Sequence, residues 1–271
     1  MIAATDTLSL APGVALEQGR LADEVRGNSW PLNSSGVFVL TRTGEPVGQI
    51  VRDLAVAYSL SDAAARADVL RFIWHLNVLT LVNVDAAGSP LRRFADWIQL
   101  AARLAPAGAI PAVTTRRSSL DTRSVARAVG SSLRAIWARM GLIAVATMAV
   151  AAQPSALVGA SGIVVPLGLG LGTGLGVGFH EAAHAALLRG VPSALVTRGR
   201  RTYVLHACVT PTRRSLVALA GPLAVTGLGV GLVVAGSIVV APAIAIAGCP
   251  LVAHALALTV ASGDGRVACG L

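Results

Sequence analysis

The sequence predicts a mainly α-helical chain: a small α+β, winged-helix-like unit comes first, followed by a four-span transmembrane helical core. Three observations predict it. Forty-nine residues between Arg139 and Arg189 include no charged or titratable side chain except His180, Glu181 and His184, and forty-nine between Arg214 and Asp264 include only Cys249 and His254. Charge is also partitioned. Residues 1–121 hold eleven Arg and eleven acids, whereas residues 122–271 hold eleven Arg and two acids, which is the whole formal net charge of +9. Finally, short β-prone runs precede helical periodicity near the amino terminus, the order of an α+β unit.

The first unit is placed at residues 1–84. Val37-Phe38-Val39-Leu40 is its strongest β-prone run, with weaker strands near Val14–Leu16 and Leu21–Val25. After Thr43-Gly44 the period changes: Val47, Ile50, Val51 and Leu54 keep helical spacing, as do Val69, Leu70, Ile73, Leu76 and Leu79 within 67–81. A winged helix can bind DNA, but zero net charge and the lack of a basic recognition helix argue against a nucleic-acid partner.

Residues 85–135 read as a basic linker. Asp85 to Pro90 breaks the structure, and Leu91, Phe94, Trp97, Ile98, Ala101 and Leu104 then form an apolar stripe flanked by Arg92, Arg93 and Arg103. Such a helix suits either a membrane surface or packing on the first unit. From Arg116 to Arg139 six arginines face one Asp.

In the core, 136–271, a span needs about twenty apolar residues, so each uncharged block fits a hairpin of two. The spans fall near 136–156, 163–188, 215–237 and 240–260. Arginines then gather before the first, between the second and third, and after the fourth, which the positive-inside rule makes cytoplasmic. The first twenty residues lack the pattern of a signal peptide. A multi-pass inner-membrane protein is expected, with its amino terminus, basic loop and carboxyl terminus in the cytoplasm. Cys208, Cys249 and Cys269 show no CxxC spacing and read as free thiols.

The chemistry concentrates at Gly178-Phe179-His180-Glu181-Ala182-Ala183-His184-Ala185. Residues i and i+4 share a helix face, so His180 and His184 can offer imidazole nitrogens to one zinc ion, with Glu181 beside them as a base for water. That is metallopeptidase chemistry; the alternative is a pair of core histidines bonded to backbone carbonyls. A catalytic zinc needs a third protein ligand and an open position. From residue 122 onward the only acids are Glu181 and Asp264, so Asp264 is the one free oxygen ligand of that half. Its alternative is a solvated turn aspartate before Gly265. The four-span assignment puts His180, His184 and Asp264 at similar depth.

Two family resemblances rest on these residues. Gly36 to Leu40, the Thr-Gly turn, the following helix, Ala67-Asp68-Val69-Leu70-Arg71-Phe72, Leu76 and Leu81-Val82 resemble the PqqD-like peptide-modification chaperones, over about residues 10–84. That resemblance implies recognition of the leader of a ribosomally made, post-translationally modified peptide, added as a strand beside the third β-strand and against the last helix. It assigns that surface to Val37 and Val39 with the helix bearing Asp68, Arg71 and His75. Read singly, these residues are equally core valines and a solvated helix face. Phe179 to Ala185, Arg189-Gly-Val191, the β-prone Tyr203–Val209, Leu219-Ala-Gly-Pro222 and Asp264-Gly265 are similar to the site-2 protease family of intramembrane zinc metallopeptidases. The resemblance implies zinc held by His180, His184 and Asp264, with Glu181 activating water. The Asn that commonly follows the family's Gly-Pro is absent, as is the Asn-Pro leading to its Asp-Gly. His254 is the only polar residue on that approach, either a substitute or a core histidine.

The function expected is therefore a membrane-embedded zinc metalloendopeptidase that cleaves a precursor peptide captured by its first unit. Zn2+ is the expected cofactor. The expected partners are a precursor or leader peptide, the lipid bilayer and peptide-modifying enzymes. Alternatives are a protease acting on a membrane-bound regulator, a membrane anchor for a modification complex, and a His-ligated metal or haem protein.

Overall fold

The computed structural model describes residues 2–85, 115–155, 163–198 and 201–259, with residues 264 and 267. The linker stripe from Leu91 to Leu104 lies outside the described residues, as does Gly265. The chain divides into two compact units, Met1–Ser119 with Pro192–Ala207, and Leu120–Val191 with Cys208–Leu271.

In the first unit, β1 (Thr7–Leu10) pairs antiparallel with β5 (Val82–Asp85). A meander follows β1: β2 (Val14–Glu17), β3 (Arg20–Asp23) and β4 (Asn28–Pro31) pair in that order. The β2–β3 turn has Gln18 at φ 48° and Gly19 at φ 73°, the two positive values of a hairpin turn whose twist matches its strands. Three helices come next, α1 (Ser34–Leu40), α2 (Val47–Ala57) and α3 (Asp62–Val78). Leu8, Leu21, Ile50, Leu54, Ile73 and Leu81 form the centre of their common core.

The run Val37–Leu40, expected as a strand, is helical. Asn33 caps it, its side chain accepting from the Gly36 amide at 2.8 Å, which supplies a helix start that β-branched propensity does not override. Val39 and Leu40 then face the core, and Gly36 lies close against Phe72 of α3, where a Cβ would stand 3.2 Å from the ring. Val37 and Val39 consequently offer no sheet edge.

A third sheet completes this unit: β6 (Thr115–Ser119) pairs antiparallel with β7 (Ser193–Arg198), which pairs with β8 (Arg201–His206). Two asparagine side chains hold β6 as a neighbouring strand would. The Asn77 amide donates to the Thr115 carbonyl and accepts from the Thr115 amide, each at 2.7 Å, and Asn83 does the same to Arg117, each at 2.8 Å. Arg117 in turn forms a two-pronged pair with Asp23, both bonds 2.9 Å and both side chains 0% exposed. Burial works to raise the Asp23 carboxyl pKa, but Arg117 and Arg26 outweigh it and hold it below the usual range.

The second unit is a helical bundle of α4 (Val125–Ser155), α5 (Val164–Leu187), α6 (Pro211–Ile238) and α7 (Pro242–Val252), with a 3-10 turn at Ala253–Leu258. Central to it is α5, which packs on α4, α6 and α7. Its alternating glycines resolve into two rows at four-residue spacing. Gly170, Gly174 and Gly178 meet Met148, Met140 and the backbone of α4, while Gly168, Gly172 and Gly176 meet Ile246, Ala247 and His254. With no Cβ in either row, two helices approach α5 to backbone contact.

The four expected spans coincide in position with these four helices, yet the core is not a four-span one. Among the described residues two helices are long and apolar enough to cross a membrane, Val125–Ala152 and Pro211–Ile238. In α5, glycines that add no hydropathy and the His-Glu pair dilute the leucines and valines. The last apolar segment, Pro242–Leu258, is shorter than the roughly twenty residues a span needs, and it tightens into the 3-10 turn after Pro250. Outward faces remain apolar all the same, as with Leu167, Leu171, Leu175 and Phe179 along α5.

Candidate metal centre

The centre lies in the second unit, built from α5, α6 and Asp264. His180 and His184 stand one helical turn apart on α5 with their Nε2 atoms 3.0 Å from each other. The Asp264 Oδ2 lies 3.0 Å from His180 Nε2 and 3.6 Å from His184 Nε2. Two nitrogens and an oxygen at these separations suit a shared ion, since ligands about 2.0–2.2 Å from a tetrahedral metal stand roughly 3.3–3.5 Å apart. Burial works to raise the Asp264 pKa, but the facing imidazoles, His180 at 3.0 Å first and then His184, outweigh it and hold its carboxyl well below the usual carboxylate range.

A neighbour orients one ligand. His184 Nδ1 is bonded to the Val217 carbonyl of α6, and because a carbonyl only accepts, the proton belongs on Nδ1. The Nε2 lone pair is then free to point into the centre, which is how a hydrogen bond on one ring nitrogen prepares the other for a metal. The same helix leaves room. A Cβ at Gly221 would stand 2.6 Å from His184 Nε2 and 3.0 Å from His180 Cε1, so α6 presents bare backbone to both rings. Pro222, within the helix, cannot donate to the carbonyl four residues back, which loosens the ladder at this turn.

Glu181 is buried beside the histidines, and its Oε2 has no hydrogen-bond partner among the described residues, nor has His180 Nδ1. A carboxylate oxygen left unpaired among apolar helices is costly unless something else occupies its surroundings. Arg139 of α4 lies within its electrostatic reach, as do both histidines and Asp264. The donor set, two imidazoles and one carboxylate with a second carboxylate held apart, fits a zinc site with an open position.

His254, on the 3-10 turn, packs its ring 5.3 Å from that of His180, tilted 40°. It lies outside the group formed by His180, His184 and Asp264, whose ligand atoms are all within 4.8 Å of one another. Asp68, Arg71 and His75 are exposed along one stripe of α3, in the first unit. Sequence reasoning missed Gly221 and the Val217 carbonyl as parts of the centre. A Gly-Pro pair inside a helix was the available signal for the first; the second is backbone and has none.

Residues 18–82 match the family model described as Coenzyme PQQ synthesis protein D (PqqD). The first unit contains a PqqD-like domain. It runs from the β2–β3 turn to the first residue of β5, taking in β3, β4 and all three helices. The chain matches no curated protein and no solved structure.

Proposed function

We propose that this protein is a membrane-associated zinc metallopeptidase that cleaves a precursor peptide held by its PqqD-like domain. The observation that carries the reading is the convergence of His180, His184 and Asp264 on one point, with the Glu181 carboxylate buried and unpartnered beside them. Those three side chains would hold the ion. Bound there, zinc supplies Lewis-acid polarisation of a peptide carbonyl and makes a neighbouring water acidic enough to lose a proton near neutral pH. Glu181 then has the proton-transfer role: its carboxylate takes a proton from water as oxygen adds to the carbonyl carbon, and returns it to the leaving amine as the C–N bond breaks. The Val217 carbonyl keeps His184 in the tautomer that leaves Nε2 unprotonated.

The PqqD-like domain supports a peptide as substrate. With Val37 and Val39 on a helix, the sheet edge suited to an added strand is that of β4, which among the described residues pairs only with β3 and is largely exposed. Asp68, Arg71 and His75 remain available as side-chain contacts on α3. Tethering the peptide to the same chain raises its effective concentration at the centre. Two long apolar helices and the outward leucines of α5 support association with a bilayer.

The test uses the purified, detergent-solubilised full chain. Wild type and Glu181→Gln are expected to bind about one zinc per chain alike, and only the wild type to cleave a precursor peptide. Zinc-free wild type, or cleavage untouched by the substitution, defeats the reading.

A further inference from the structure

We propose that His254 is a substrate-facing hydrogen-bond donor of the metal centre, its ring N–H taking the carbonyl oxygen of the peptide bond under attack. The proposal rests on the peptidase reading and deepens it. Three observations carry it. The ring stands 5.3 Å from His180, near the centre yet outside the converging ligand atoms, the distance of a group that meets substrate rather than the ion. Neither ring nitrogen has a hydrogen-bond partner among the described residues, so the ring beside His180 keeps an N–H that is not committed elsewhere. The ring is also seated on purpose-shaped backbone: a Cβ at Gly176, one turn before His180, would stand 2.8 Å from His254 Nε2. A core histidine would instead be paired to a carbonyl, as His184 is to Val217.

In the reaction, water adds to the carbonyl carbon while Glu181 takes one of its protons, and the C=O π electrons move onto oxygen. That oxygen accepts the His254 N–H bond most strongly when negative. Its electron pair then returns, the C–N bond breaks, and the proton on Glu181 passes to nitrogen. His254 keeps its own proton throughout. The gain therefore falls on the charged oxygen.

The probes are zinc and acetohydroxamate, a small chelator with an anionic oxygen. Zinc is titrated into metal-stripped full-length protein, and acetohydroxamate into the zinc-loaded form, for wild type, His254→Ala and His254→Gln. Expected are equal zinc affinities in all three, hydroxamate binding about tenfold weaker in the alanine variant, and recovery in the glutamine variant, which keeps an N–H donor. Weaker zinc binding in His254→Ala would make His254 a ligand and overturn the proposal. So would hydroxamate affinity indifferent to residue 254, with the metal centre left standing. Wild type that binds no zinc overturns the peptidase reading, and this inference with it.

Discussion

At the scale of single residues, the candidate metal centre depends on one atom that is missing. Gly221→Ala places a methyl where His184 Nε2 and His180 Cε1 already stand, 2.6 and 3.0 Å away. The methyl belongs to the backbone of a packed helix, so the imidazoles must give way. Zinc affinity is expected to fall at least tenfold while far-UV circular dichroism stays unchanged, measured by metal titration of the solubilised protein. A second residue-scale prediction concerns Asp23. Its carboxyl is held below its unfolded value, which is about 3.9, by Arg117 and Arg26. Its contribution to stability is thus complete above that value and is lost as pH falls below it toward the folded pKa. Asp23→Asn leaves the Arg117 guanidinium buried without its counterion, at a cost of about 3–5 kcal/mol at neutral pH. The gap between wild type and variant in chemical denaturation should close as pH drops below about 4. A gap constant from pH 7 to pH 3 would show that the pair is not ionised in the folded protein.

At the scale of elements, α5 shows how one helix serves two neighbours. Alternation of glycine with larger apolar residues looks like a strand pattern, but in a helix every second residue falls into two rows four apart, one toward α4 and one toward α7. Gly172→Leu drives a side chain into the Ala247 carbonyl and Pro250. A backbone contact cannot yield as a side-chain end does, so the variant is expected to lose helical packing and to show a lower unfolding temperature together with loss of zinc. Normal stability in that variant would mean that α7 does not sit against α5 as described. The helix α1 teaches a related lesson. Its Val-Phe-Val-Leu run has strand propensity, but Asn33 and the packing of Gly36 on Phe72 decide for a helix.

For the whole molecule, the PqqD-like domain is not a separable appendage of the chain. Its Asn77 and Asp23, with Asn83 one residue beyond it, hold β6, and β6 pairs with the hairpin that the chain makes between α5 and α6. Deleting residues 2–84 removes the partners of the Thr115 and Arg117 backbone and of the Arg117 guanidinium at once. Each orphaned buried group costs about 1–3 kcal/mol, and the unpaired charge more. The truncated protein is expected to aggregate or to be rapidly proteolysed, whereas a module joined only by a linker would leave a stable remainder. Limited proteolysis of the two forms side by side separates these outcomes.

Local pattern alone determined much of this protein. The i, i+4 histidines with Glu181 between them, the four apolar helices, strands β2 and β3 and helices α2 and α3 all follow from spacing within a few residues. Scarcity also singled out Asp264, the only acid besides Glu181 after Asp121. What tertiary structure decided is of another kind. That Asp264 comes within 3.0 Å of His180 across 84 positions, that Asn77 and Asn83 replace a strand for β6 across 38 and 34, and that Arg117 finds Asp23 across 94 are facts of packing. So is the finding that, among the described residues, two helices are long and apolar enough to span a membrane, where charge counting had suggested four. Periodicity reports which way a residue faces along its own element. It carries nothing about the partner it meets, because that choice is made by distant backbone and side-chain groups satisfying one another on burial.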